Sequence, residues 1–377
     1  MSERPFVLAT PFHVRAAALN RDNAWAVRNG FTLSAAYDDA GDEALAARQR
    51  VVLADISWRW RLAVEGGRAV EFLSRLLTRD PAKLEPGQAL KALWLGDKGG
   101  VRGACALARY GRESFRVVSA AEDETWIFRA AAAFGLAPAP VADEGGLAIV
   151  GPYARATLAA AGLDADLEPL GFRKLFWRGL DVTLSRWGEH GGYEIWCQSD
   201  DGLAVWDRLM RAGGDFGIQA AGLAAMDLLD IEGGVARPGR DYLLAREAFA
   251  ASPSPVALGL ERLVDDGWKG FNGREGWLRS RLTEKRRLAG IVFEGETPAP
   301  FTPLLREGSA IGHALSSAYS PAMRRAVALA QVDISAIAPG TVLSLTLPPG
   351  RDLPELRTAQ VRVADLPFLK PPDPIAG

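Results

Sequence analysis

The chain has 377 residues, with 44 basic and 46 acidic side chains and a formal net charge of −2. That length exceeds the ~100–200 residues of a usual domain, so two or three domains are expected. Its even charge balance offers no field for nucleic acid or an anionic membrane, which leaves small ligands or a protein partner. Two cysteines (Cys105, Cys197) and three histidines (His13, His190, His313), without CxxC or HxxxH spacing, exclude a disulfide framework and make a structural metal unexpected. MSERPFVLATPFHVR has no apolar run of signal-peptide length, and no stretch of ~18 apolar residues could span a bilayer, so a soluble, reducing, cytoplasmic setting is expected.

In chain order, residues 38–42 read as a loop and Glu43–Arg50 as a short Ala-rich helix. Val51–Ser57 is a β-branched run suited to a buried strand, with Asp55 near its end. Arg61–Glu65 alternates as a strand, Gly66-Gly67 turns, and the next helix repeats Val70, Leu73 and Leu77 on one face. Leu90–Leu95, Ala104–Ala108 and Phe115–Ser119 read as strands around the Gly99-Gly100 turn, and Thr125–Phe134 as a helix. The order β-α-β-β-α-β is that of ferredoxin-like modules. It recurs with a strand at Leu147–Val150, a helix at Ala154–Ala161 and strands at Asp181–Trp187 and Tyr193–Cys197. A helix follows at Leu203–Arg211, capped by Asp200 or Asp201. Leu223–Glu232, apolar and free of Pro and Gly, reads as a buried helix ended by Gly233-Gly234 and followed by the polar turn Arg237–Tyr242. Beyond Lys285, short strands at Leu288–Phe293, Ala310–Ser316, Ala326–Val332, Val342–Leu347 and Thr358–Val363 argue for an all-β barrel or sandwich, with a Pro-rich strap after it.

Several segments then line up with one family. They include Leu53-Ala54-Asp55-Ile56-Ser57, the stretch GRAVEFLSRLLTRDPAKLEPG from Gly67 to Gly87 before the Gly99-Gly100 hairpin, and Ile149-Val150-Gly151-Pro152. Gly192-Tyr193-Glu194-Ile195, the helix Leu223–Glu232 with its Gly239-Arg240-Asp241 loop, Lys269–Glu275, Ile311-Gly312-His313 and Leu366-Pro367-Phe368 continue the series in order. In this order the chain resembles the glycine-cleavage T-protein (aminomethyltransferase) family of tetrahydrofolate-dependent one-carbon transferases. It is more similar to the demethylase members than to the glycine-cleavage ones. The resemblance implies an α+β protein built as a three-domain ring around a folate channel, with two ferredoxin-like α+β modules and a C-terminal all-β barrel or sandwich. Residues 1–55 and 145–284 would form a discontinuous folate-binding domain, 56–144 the second α+β domain and 285–377 the β domain.

A reduced pterin presents adjacent donors that a carboxylate can accept as a planar fork. The resemblance puts Glu194 in that role, with Trp196 and Glu189 as further cofactor contacts. His190, Asp241 and Tyr242 are the candidate catalytic groups, and the loops 188–192 and 237–242 are expected to face each other across one pocket. Their glycines are expected to admit the ligand and aim Asp241 inward. Departures from the family gather on the side of the carbon donor. Gly103, followed by Ala104, stands where the family carries a central aspartate; Lys91, Ala120 and Pro238 replace a tyrosine, an asparagine and a tyrosine. Met226 and Asp230 occupy the candidate positions of a helix arginine. The leading expectation is methyl transfer, or demethylation, from a small O-, S- or N-methyl donor to folate N5. The alternatives are an aminomethyltransferase partnered by a lipoyl carrier protein, and a non-catalytic folate-binding protein. The last is disfavoured because no cysteine lies near Tyr242, where the iron–sulfur-assembly branch has one.

Overall fold

The computed structural model describes residues 7–188, 190–243, 252–347, 357–373 and 375. Strand β1 (Leu8–Ala9), helix α1 (His13–Leu19) and strands β2 (Trp25–Arg28) and β3 (Phe31–Ser34) make a small sheet in the order β1-β3-β2. Helix α2 (Ala40–Gln49) leads into β4 (Val52–Asp55), after which the chain leaves to build a separate sheet. This contains β5 (Trp60–Glu65), α3 (Ala69–Leu76), β6 (Ala89–Leu95), β7 (Val101–Gly111), β8 (Ser114–Ser119), α4 (Glu124–Ala132) and β9 (Ala139–Pro140), in the order β6-β7-β8-β5-β9. It carries one strand more than the β-α-β-β-α-β pattern.

The chain returns through β10 (Glu144–Val150), α5 (Ala154–Ala160), β11 (Phe172–Trp177), β12 (Leu180–Ser185), β13 (Tyr193–Gln198), α6 (Gly202–Ala212) and β14 (Gln219–Ala221). Together with β4 these form a six-stranded sheet, β11-β12-β13-β10-β4-β14. Helix α7 (Leu223–Glu232) and helix α8 (Arg274–Thr283) precede β15 (Arg286–Phe293), β16 (Pro303–Arg306), β17 (Ser309–Ser320), β18 (Arg325–Asp333), β19 (Val342–Leu347) and β20 (Arg357–Ala364). The last six close into a barrel, β15-β18-β17-β16-β19-β20.

Strands β4 and β10 of the central sheet are buried on both faces, which explains their unbroken apolar runs. Alternate residues sort to two cores: Leu53, Leu147, Ile149 and Ile195 pack under α5 and α6, while Val52, Ala54, Ala148 and Val150 pack with α2 and α7. In α3 the buried stripe is Ala69, Phe72, Leu73 and Leu76, and Val70 is only half-buried. The large Phe72 ring turns that stripe away from the Val70 face. Asp201 does not cap α6 with its side chain, because a 3₁₀ turn, Ser199–Asp201, feeds directly into the helix. After α7 it is Gly234, at φ +72°, rather than Gly233 that takes the left-handed conformation.

Helix α7 is held at its start by a carboxylate from α2. Glu43, almost fully buried, accepts from the backbone N–H groups of Tyr37 (2.6 Å), Asp38 (3.0 Å) and Gly222 (2.7 Å). At the other end Glu232 pairs with Arg48 (2.6 Å), accepts from the Ser320 hydroxyl of β17 (2.6 Å) and, through its carbonyl, from Leu369 N–H (3.0 Å). Arg48 also donates to the Lys370 carbonyl (2.7 Å), so the Pro-rich strap runs back across α2 and α7. Glu43→Ala would remove the shared acceptor of three backbone donors, the Gly222 N–H buried and those of Tyr37 and Asp38 part-buried, each costing about 1 kcal/mol. Urea unfolding of that variant should show a loss of about 3 kcal/mol; an unchanged midpoint would mean that water replaces the carboxylate.

Candidate functional site

The three sheets, α7, the barrel and the strap meet around a cavity of about 870 Å³, inside the ~300–1,000 Å³ range of small-molecule sites. The β2–β3 hairpin contributes Arg28, and the segment after β4 contributes Trp58 and Arg59. The neighbouring sheet presents Lys91, Ala104, Ala106 and Val118, which share one face by register: Lys91 pairs with Ala106, and Ala106 with Val118. Met226 and Asp230 come from α7, Arg237, Arg240 and Tyr242 from the loop after it, Leu288 from the barrel, and Leu366 and Pro367 from the strap.

Glu194 lies one layer behind this wall, fully buried. Its Oε1 is ion-paired with Arg59, and its Oε2 accepts from Trp187 Nε1 (2.7 Å) and Trp196 Nε1 (3.3 Å). Arg59 and Trp187 are the groups that reach the cavity. A carboxylate can accept about four hydrogen bonds, so Glu194 has capacity beyond these donors, but a flat ring could meet it directly only if Arg59 turned aside. Trp196 is also buried, beneath the Arg61 guanidinium at 4.2 Å from its ring centroid, and it does not line the cavity. It supports Glu194 from behind. Glu189 falls outside the described residues. The glycines of this loop serve the backbone: Gly191 takes a left-handed turn at φ +74°, and a Cβ on Gly192 would sit 2.3 Å from the Ile149 carbonyl of β10.

Of the candidate catalytic residues, His190 and Tyr242 both line the cavity, so the two loops do face one another. The Tyr242 hydroxyl is pushed well above its ordinary range by burial and by the neighbouring Asp241 carboxylate. Asp241 itself points away from the cavity. It is buried, with Oδ2 accepting from Arg237 N–H (2.8 Å) and Oδ1 from the Ser316 N–H (2.9 Å) and the Ser316 hydroxyl of the barrel. The turn at Gly239 (φ +73°) forms as expected, but the barrel's paired donors draw Asp241 toward the barrel and make it a tether. His190 Nε2 lies 3.1 Å from Asp230 Oδ1, with both side chains largely buried.

Asp227 gathers three guanidinium groups: Arg28 at 2.9 Å, Arg237 at 2.6 Å and Arg240 at 2.8 Å. Arg237 also pairs with Asp241 (3.5 Å), so Arg28 and Arg240, sharing Asp227 at the cavity wall, are the guanidiniums placed to meet a ligand with carboxylates of its own. These roles for Asp227 and Asp230 were not assigned from the sequence. The signal was there, since two acids inside an otherwise apolar, buried helix must find partners. Asp55, whose carboxyl burial lifts above the usual range, accepts from Thr10 Oγ1 (2.6 Å) and Ser57 N–H (2.9 Å) where β4 meets the cavity. Burial pushes the Cys105 thiol up to about 12, so it is no nucleophile although it borders the same space.

Gly103 pairs with Trp94 across β6 and β7, and a Cβ there would fall 2.1 Å from the indole ring. That indole is fully buried and donates to Asp123 (3.0 Å), which also holds Arg102 through two 2.7 Å bonds. Position 103 therefore looks into the domain core, and its cavity-facing neighbour is Ala104. Neither carries an acid. Among the described residues no group of His, Cys, Asp and Glu is arranged to hold a metal ion, and no helix is long and apolar enough to cross a membrane.

Residues 12–265 match the GCVT N-terminal domain, and residues 286–370 match the glycine cleavage T-protein C-terminal barrel domain. The aminomethyltransferase of Frankia alni is 32% identical over 297 residues, covering 76% of this chain and 80% of that one. That of Thermotoga neapolitana is 30% identical over 315 residues, covering 80% and 84%. The trimethylamine-oxide aldolase of Ruegeria pomeroyi is 28% identical over 346 residues, which are 86% of this chain and 43% of that larger protein. The crystal structure of the glycine cleavage system aminomethyltransferase T from Bartonella henselae superposes with a TM-score of 0.85 at 24% identity, over 97% of this chain and 99% of that one, a likeness of fold. The chain thus belongs to the glycine cleavage T-protein family, folate-dependent transferases whose aminomethyltransferases use tetrahydrofolate.

Proposed function

We propose that this protein transfers a one-carbon unit to tetrahydrofolate from a small methylated donor, releasing the demethylated O, S or N compound. The observation that carries this reading is the donor-side wall, where the sheet face turned to the cavity offers Lys91, Ala104, Ala106 and Val118 and no carboxylate. Transfer between heteroatoms requires alignment of donor atom, carbon and acceptor above all, a proximity effect worth up to ~7–11 kcal/mol, so an acid on this cavity face is dispensable. The size and lining of the cavity fit tetrahydrofolate. Trp187 and Arg59 would flank its pterin, Glu194 would accept the ring donors once Arg59 moves, and the arginines around Asp227 would meet its glutamate carboxylates. When bound, it supplies the nucleophilic amine that receives the carbon.

A second reading, aminomethyl transfer from a lipoyl carrier protein, is favoured by the names of the bacterial aminomethyltransferases similar to this chain. It is disfavoured by Gly103 and Ala104. Incubation with tetrahydrofolate and a panel of methylated amines, sulfonium compounds and methyl ethers should yield 5-methyltetrahydrofolate from one donor class. The aminomethyl-lipoyl carrier should yield none of the methylene product, and robust formation of that product would overturn the donor assignment.

Two substitutions test the site. Glu194→Ala should weaken tetrahydrofolate binding by about 1–3 kcal/mol, roughly 5- to 150-fold by calorimetry, since it removes a charged acceptor. Unchanged affinity would move the pterin elsewhere. Gly103→Asp should fail to confer aminomethyl transfer and should cost about 3 kcal/mol or more of stability, because the new side chain must displace Trp94 and bury a charge. A variant melting like the parent would show that position 103 has room the geometry denies.

A further inference from the structure

We propose that His190, positioned by Asp230, relays a proton between the reaction cavity and solvent. The inference rests on the one-carbon-transfer reading above and adds to it the group that handles the proton.

The first observation is the dyad itself. Asp230 projects from helix α7, and its Oδ1 lies 3.1 Å from His190 Nε2, within ion-pair distance when the ring is protonated. The second is the position of the ring. His190 lines the main cavity and also a second, smaller cavity of about 70 Å³ that lies under Pro371 and Pro372 of the strap. That is room for water, since one molecule needs about 10–15 Å³ of such space. Gly233 and Pro367 are the other residues common to both walls, and neither carries an ionisable side chain, which leaves His190 as the titratable link between the two spaces.

The third observation is the assignment of the competing groups. Asp241 is committed to Ser316 and Arg237, Glu194 to Arg59 and two indoles, Asp55 at the cavity edge to the Thr10 hydroxyl and the Ser57 N–H, and positions 103 and 104 carry no acid. Among the described residues, the charged groups around the ring are Asp230 on α7, Arg237 whose charge acts on Asp230, and Arg48, paired with Glu232, across the smaller cavity.

The chemistry needs such a group. When a methyl passes from a donor heteroatom to an amine, the donor–carbon bond breaks with its electron pair staying on the donor atom, and a carbon–nitrogen bond forms. The amine's proton must then leave. An imidazole can take that proton and return it to a donor atom released as an anion, or pass it to water in the smaller cavity when the donor leaves neutral.

The test uses the full chain and three variants, His190→Ala, His190→Gln and Asp230→Asn, each checked for folding by thermal melting. With the best donor from the panel, His190→Ala should lose turnover by about 100-fold or more and recover part of it when imidazole is added. Asp230→Asn should lower kcat at constant KM and displace one limb of the pH profile. Independently of turnover, the His190 imidazole NMR signals, identified by their loss in His190→Gln, should move when tetrahydrofolate is added to the wild type. Unmoved signals, or a His190→Ala variant with wild-type turnover and pH profile, would overturn the relay. If the wild type acts only on the aminomethyl-lipoyl carrier, the donor reading fails, and the same variants on that activity still decide the relay.

Discussion

A short run of carboxylates on α7 organises this molecule. Asp227, Asp230 and Glu232 would each be costly to bury alone, and each is stabilised by a partner from a different part of the chain. Asp227 takes Arg28 from the first hairpin and Arg237 and Arg240 from the following loop; Asp230 takes His190; Glu232 takes Arg48 of α2 and Ser320 of the barrel. Pulling these elements apart would strip the buried carboxylates of their partners, so the contacts specify how the sheets and barrel are set against one another. The cavity is the space those constraints leave open.

Much of the architecture is written in short-range pattern. The doubly buried strands β4 and β10 appear as continuous apolar runs, and the barrel strands appear through their regular spacing and Pro-Gly turns. What escaped is where pattern is weak. Strand β11 (Phe172–Trp177) lies at a sheet edge with Arg173, Lys174 and Phe176 facing water, so it shows neither alternation nor a continuous apolar run. The three-residue β14 is too short to carry a period.

The site was legible to the extent that one residue's motif decides its place. Glu194 is buried beside the cavity as its strand motif implies, yet what its carboxylate touches depends on Arg59 and Trp187, each on a different loop. Asp241 shows the limit more sharply. Its local turn formed as expected, but its direction was settled by Ser316, a barrel residue far along the chain whose N–H and hydroxyl outcompete the cavity. His190 lines the cavity, whereas its acidic partner was visible only as an arginine that the helix lacks. Local chemistry predicts which groups are available, and tertiary donors and acceptors decide which of them the ligand can reach.

The strap has a further consequence. Leu366 and Pro367 form part of the cavity wall, and the backbone of Leu369 and Lys370 is bonded to α7 and α2. The first hairpin and both mixed sheets therefore enclose the chamber only in part, and the strap supplies the remaining side. The chamber closes on that side only where the segment after the barrel crosses back over α2 and α7, so wall and barrel are joined through one short stretch of backbone.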